Sequence, residues 1–243
     1  MNILFWASFG CTAKRMMPEN LKEVLIYDVN ITAKIKTEEG VDTSFLHDWK
    51  IAVNLEEVNR DDSLRLKVEF LEAKWTQDLA SSELETLPLE GKAIYITAFP
   101  WGEMLTVDGW DALPEMPCNE TVGIILPLLF PNPPVRKEQQ WVYRVLPWRY
   151  YGEIPDNYLR LNQKIIANWT QVEVNSWEYE GKWLAETRLT NIFRGEVEGT
   201  LESSGGWLKN HEWTWQRDIS YPDTEKQFFN GKIQRLEPSQ ITK

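Results

Sequence analysis

From Leu25 the odd positions are apolar, Leu25, Tyr27, Val29, Ile31, Ala33 and Ile35, and from Asp28 the even ones are polar, Asp28, Asn30, Thr32, Lys34 and Lys36. A period of two over this length belongs to an extended chain, with one set of side chains on a dry face and the other on a wet one. A strand that is dry on one side must cover that side, so this segment alone commits the protein to a sheet with one buried face. Glu38-Glu39-Gly40 supplies a turn. Trp49, Ile51, Val53 and Leu55 then share one face of a second strand, residues 59–62 make a polar turn, and Leu64, Leu66, Val68 and Phe70 alternate with Arg65, Lys67 and Glu69. Three one-sided strands joined by short turns predict an antiparallel meander, because parallel neighbours need long crossovers.

The rest of the chain keeps this rhythm. Residues 77–87 are the one segment with helical character, and Gly91 opens a hairpin of residues 93–99 and 103–107 around Pro100-Trp101-Gly102. Residues 110–134 are rich in proline and carry the apolar run Gly123–Phe130, too short to span a bilayer. Strands are predicted again over 139–146, over 159–174 with a bend near Asn168, and over 172–179 and 182–193 with Glu180-Gly181 as the tight turn between them. Arg194-Gly195 and Ser203-Ser204-Gly205-Gly206 read as further turns, residues 207–219 and 227–236 as the last strands, and Asn230-Gly231 as a hairpin candidate. The expected fold class is all-β, with antiparallel meanders forming a curved sheet, half-barrel or sandwich. Its expected parts are an N-terminal anchor or targeting remnant (1–20), a first meander (21–110), a proline-rich connector (111–138) and a second meander (139–243), with one continuous domain as the alternative. A shared rhythm hints at an internal repeat, but the halves do not align residue by residue.

Charge narrows function. The formal net charge is −11 and no Lys/Arg cluster breaks the acidic trend, which argues against nucleic-acid binding. Catalytic signatures are absent too. There is no His-Glu-x-x-His, phosphate loop or Gly-x-Ser-x-Gly elbow, only His47 and His211 are present, and Cys11 and Cys118 make no zinc pattern. Glu178 between Trp177 and Tyr179, and Glu212 between His211 and Trp213, are the least unattractive acids for glycoside hydrolysis; a pair across a cleft would be required. No catalytic residue, metal ligand or cofactor is therefore expected.

The 13 tryptophans are the unusual number. Trp207, Lys209, His211, Trp213 and Trp215 share strand parity, with Leu208, Asn210, Glu212 and Thr214 opposite. If that face is exposed, Trp207, His211, Trp213 and Trp215 form an aromatic surface for a ligand or partner. If it is internal they are core, with Lys209 at an edge and its head in water; the area of the rings favours core.

The N-terminus offers a location. Residues 1–10 are apolar or small except for Asn2, and Ser8-Phe9-Gly10-Cys11 resembles the cleavage box of bacterial lipoproteins, in which the cysteine is lipidated. Ser8 stands where that box usually has Leu, and a basic region is missing ahead of it. The alternatives are a hydrophobic first strand, or a cytoplasmic protein starting at Met17. A Cys11–Cys118 disulfide is open in an oxidising compartment. Asn30, Asn119 and Asn168 head N-glycosylation patterns that matter only in a eukaryotic secretory host.

Leu126-Pro127-Leu128 ahead of the strand entered by Gln140-Trp141, with Gly199-Thr200-Leu201 and Gly206-Trp207-Leu208 opening later strands, resembles a group of poorly characterised bacterial secreted proteins and lipoproteins. The resemblance is one of rhythm over about residues 25–237. It implies a curved sheet or half-barrel with a broad apolar groove, and carries over no catalytic residue. The function expected is a non-catalytic, envelope-associated binding or assembly protein, tethered through Cys11 in the periplasm or at the cell surface, with an apolar ligand or a protein as partner. A carbohydrate-binding module or a structural subunit is the alternative.

Overall fold

The computed structural model describes residues 23–40, 42–77, 79, 83–99, 104–109, 139–145, 162–186, 191–219 and 225–237. Twelve strands run through them: β1 (Val24–Thr37), β2 (Asp42–Val58), β3 (Leu64–Thr76), β4 (Glu85–Thr86), β5 (Ala93–Ala98), β6 (Met104–Asp108), β7 (Gln139–Val145), β8 (Asn162–Glu173), β9 (Ser176–Glu186), β10 (Asn191–Ser204), β11 (Trp207–Ile219) and β12 (Glu225–Arg235). All belong to one antiparallel sheet in the order β6-β5-β3-β2-β1-β12-β11-β10-β9-β8-β7, with β4 as a short addition to β3. The class is all-β, as the alternation predicts.

Two meanders, one descending from β1 to β6 and one from β12 to β7, are stitched together where the first and last strands pair from Tyr27↔Arg235 to Thr37↔Glu225. β6 and β7 are neighbours in strand order along the chain but stand at opposite edges of the sheet. Among the described residues they do not pair, so the sheet is not closed.

One face is dry. Leu25, Tyr27, Val29, Ile31 and Ala33 of β1 are buried, and so are Trp49, Ile51, Val53, Leu66, Val68, Phe70, Ile94 and Ile96 on the strands beside it. Burying a side chain of this size stabilises by roughly 1.5–3 kcal/mol, the term that overcomes the entropy of ordering long strands. The opposite face carries Asp28, Asn30, Lys34, Glu178, Glu198 and Glu212.

Several glycine signals read as turns lie inside strands instead. Gly181 is in mid-β9, between Ala167 of β8 and Val197 of β10. Gly195 pairs with Trp183 and Arg217, and Asn230-Gly231 crosses the middle of β12 opposite Thr32-Ile31. The cause is space. A Cβ on Gly181 would run into the backbone of Ile166 and Ala167, and one on Gly231 into the indole of Trp213. The turn between β8 and β9 is made at Val174-Asn175, with Asn175 at a φ of 62°. Gly205-Gly206, at φ 61° and 77°, connects β10 to β11 as a two-residue loop, with Ser203 and Ser204 still in the strand.

Two further expectations are corrected. β8 runs unbroken through Asn168, paired with Gln140 and Glu180; its irregularity comes later, between Gln171 and Glu173. The 77–87 segment holds no helix among its described residues. Glu85 and Thr86 pair with Trp75 and Lys74, and the Leu87 N–H donates to the Ala73 carbonyl at 2.8 Å, so edge pairing satisfies the backbone there. The proline-rich connector, Cys11 and Cys118 lie outside the described residues.

Candidate functional site: the aromatic inner face

Strand register places the aromatic residues in rows that cross the sheet. One row runs Trp169, Tyr179, Gly199, Trp213, Gly231, Ile31, His47 and Trp75, each the register partner of the next. Trp213 thus lies between two glycines. A Cβ on Gly199 would meet the Tyr179 ring, as one on Gly231 would meet Trp213. Large plates alternate with bare backbone, so each ring folds over a neighbouring strand and lies against the sheet. The next row reads Ala167, Gly181, Val197, Trp215, Phe229, Ala33 and Phe45, and a third reads Trp177, Leu201, His211, Ile233, Val29, Trp49 and Ala73. Ring contacts run along the rows, Trp169 and Tyr179 at 4.3 Å and Trp215 and Phe229 edge-on at 6.4 Å, and between them, His211 and Trp213 at 4.9 Å and Trp213 and Trp215 at 6.2 Å.

All four aromatic candidates of the sequence are buried; His211, Trp213 and Trp215 lie on this face, while Trp207 pairs with Ser204 beyond a bulge that reverses the parity. Lys209 does not share the face. A bulge opposite Glu202/Ser203 leaves Lys209 unpaired and brings Leu208 onto Ser203, so Leu208 takes the buried place and Lys209 is exposed, 3.2 Å from Glu202. The parity read from sequence therefore holds from His211 onward and fails before it.

Polar groups are sealed into this apolar layer. Tyr179 Oη lies 2.9 Å from His211 Nε2, and burial pushes the phenol far above its ordinary pKa, so it keeps its proton and can donate to a neutral imidazole. Tyr27 Oη donates to the Leu208 carbonyl at 3.0 Å. His47 is different. It is fully buried, and neither ring nitrogen has a hydrogen-bond partner among the described residues; the indole N–H groups of Trp49 and Trp169 are in the same condition. Burial alone pushes His47 down to a pKa of about 4, so the ring is neutral at physiological pH. Sequence reasoning passed over His47 and Trp49. Their shared parity with Ile51 on β2 was the available signal.

The opposite face is concave over β8–β12 and β1, forming a trough of about 740 Å³ lined by Thr170, Glu178, Glu198, Glu212, Asn230 and Lys232 among others. Glu178 and Glu212 both reach it, one on each side of Thr200 in register. Glu212 is tied to Lys232 at 2.7 Å, which holds its carboxyl below the usual range, the opposite of what a general acid needs. No group of metal-ligating side chains is assembled among the described residues.

No protein-family model matches the chain, and no curated protein matches it in sequence. Among solved structures there are matches, two of which are these. One, describing lipid–protein interactions in lipovitellin, shares the fold with a TM-score of 0.53 at 9% identity over 91% of this chain, which spans only 25% of the lipovitellin chain. The other is an S-type phycobiliprotein lyase from Guillardia theta, at a TM-score of 0.30 and 6% identity over 86% of this chain and 87% of the lyase. What this protein shares with lipovitellin is the architecture of a large one-sided antiparallel sheet.

Proposed function

We propose that this protein is a non-catalytic binding protein that takes an apolar, lipid-like ligand against the aromatic inner face of β8–β12. The observation that carries this reading is the alternation of Trp169, Tyr179, Trp213 and their neighbours with Gly199 and Gly231, which makes a face of flat plates on bare backbone. Such plates slide and tilt at little cost in contact area, as a lining must when it exchanges contacts with itself for contacts with an acyl chain. The fold shared with a lipid-interacting protein agrees with this reading. Among the described residues β6 and β7 are the sheet's edges with no further strand paired to them, which offers a route to the face. A tether at Cys11 would hold the protein at a bacterial envelope, where lipid is at hand.

Quenching by brominated lipid tests the proposal. Collisional quenching of most tryptophan emission by a brominated acyl chain, with little effect from aqueous iodide, is expected. Equal indifference to both quenchers would contradict it.

A carbohydrate-binding module has one feature in its favour, the outer trough, whose Asn, Thr and Glu side chains suit sugar hydroxyls. Sugar rings are held by exposed aromatic plates, however, and Trp177 and Trp215 are buried away from the trough, while Trp213, which borders it, is only 3% exposed. Saturable binding in a glycan panel would promote this reading.

A further inference from the structure

The inner face has a polar end. His47 and Trp49 are two residues apart on β2 and so point to the same side, with ring centroids 5.2 Å apart at 63°. Their register neighbours are Ile31 and Trp75 for His47, and Val29 and Ala73 for Trp49; Phe45 and Ile51 flank them along the strand. None of these carries a charge or an acceptor side chain. Three groups able to hydrogen-bond, His47 Nδ1, His47 Nε2 and Trp49 Nε1, therefore sit together in a dry layer with no partner among the described residues. Leaving such groups unmade is costly, and native interiors rarely do so.

We propose that His47 and Trp49 hold the carboxyl head of a long-chain fatty acid whose tail lies along the aromatic rows. This deepens the inner-face reading and rests on it. The chemistry of the pair selects the head group. The indole only donates, and a neutral imidazole donates from one nitrogen and accepts at the other. A carboxyl complements both, as an acid giving its proton to the ring or as a carboxylate facing an imidazolium. An ester only accepts and leaves the ring acceptor unmet; an alcohol can donate and accept through its single oxygen, but brings no negative charge to face an imidazolium. The tail would follow the row from His47 past Ile31 to Gly231 and Trp213, three strands and roughly 14 Å away, taking the place over Gly231 that the Trp213 indole now covers. Both head-binding groups are sealed from solvent, so a ligand must displace the residues that now cover them.

Proton bookkeeping gives a signature. In neutral solution the fatty acid is ionised and His47 is neutral, while the bound pair shares one proton between ring and carboxyl. Binding must therefore take up about one proton per ligand from the buffer.

Isothermal titration of the full chain with palmitate, hexadecanol and methyl palmitate at pH 7.5, in two buffers of different ionisation enthalpy, tests this. Expected are uptake of about one proton with palmitate alone, and affinity for palmitate at least about tenfold above hexadecanol. His47→Phe should abolish the uptake and level the affinities while hexadecanol still binds. Should that variant not fold, His47→Gln serves the same comparison. Equal binding of acid and alcohol by the wild type without proton uptake overturns the head-group assignment and leaves the inner-face reading standing, as does uptake that survives the substitution. Failure of all three ligands to bind overturns both.

Discussion

The two halves of the sheet present the same one-sided pattern to solvent and fill their dry side in different ways. Among the described residues, four of the twenty buried hydrophobics of β1–β6 and the loops between them are aromatic, against seven of twelve in β7–β12. The first half packs branched aliphatics such as Ile51, Val53, Leu66, Val68, Ile94 and Ile96, whose Cβ substituents interlock between strands. The second half lays rings over glycines. Branched packing is specific and unforgiving of vacancies; plates on bare backbone fill space by covering it, and depend on a Cβ being absent next door. The comparison teaches that a period-two pattern determines which face is dry without determining whether that face is a locked core or a lining.

Substitutions at the glycines should break the second half most severely. Gly231→Val puts a branched side chain where the Trp213 indole lies, and is expected to cost on the order of 4 kcal/mol in urea unfolding. Combining it with Trp213→Ala should recover part of that loss, since the clash and the cavity share one volume. An additive double variant would mean that ring and glycine are not coupled.

The first half should respond as an ordinary core. Ile51→Ala deletes fully buried methyl groups and is expected to cost about 3 kcal/mol with an unchanged denaturant slope. A loss below about 1 kcal/mol would show that the aliphatic half collapses around the gap as easily as the aromatic half is held to do.

His47, on β2 in the first half, makes stability depend on pH. Its pKa in the folded chain lies below the ordinary 6.5, at about 4, so the unfolded chain binds the extra proton between those values. The contribution is complete above pH 6.5 and is lost as pH falls towards 4, by up to about 3 kcal/mol. The difference between wild-type and His47→Phe unfolding curves from pH 7.5 to 4 isolates it. Parallel curves would place the ring in water.

The outer face should matter least. Lys232→Gln removes the partner of Glu212 where both side chains are about half exposed (49% and 51%), and is expected to change stability by less than about 0.5 kcal/mol, with the small effect vanishing in salt. A larger loss would mean that the trough, not the inner face, anchors the second half.

Particular residues explain what sequence alone could and could not disclose. β1 was legible because every second residue from Leu25 to Ile35 is apolar, and one register of burial satisfies them all. The hairpin over β5 and β6 was legible from its turn glycines, and the burial of Trp213 and Trp215 from parity and ring size. Gly181, Gly195 and Gly231 were misread because a glycine in sequence announces only that a Cβ is missing. Whether its absence serves a positive φ or a close neighbour depends on the strand alongside, and that pairing is set at long range. Asn175 shows the converse, a turn made without glycine by a residue that tolerates the left-handed region. The bulge at Lys209 was hidden for a similar reason, since it is defined by two residues opposing one on β10. Trp49 was legible as an apolar-face residue and His47 shares its parity, but the lack of partners for their ring nitrogens is a property of the assembled layer.

The central claim, that the inner face is a lining for an apolar ligand, is tested most directly by mass spectrometry of the full-length protein taken from its own cells, under native and then denaturing conditions. The account predicts an added mass of lipid size in the native spectrum that disappears on denaturation, separate from any covalent acyl mass at Cys11. A native spectrum showing only the bare chain, in a preparation that also fails to take up added fatty acid, would contradict it.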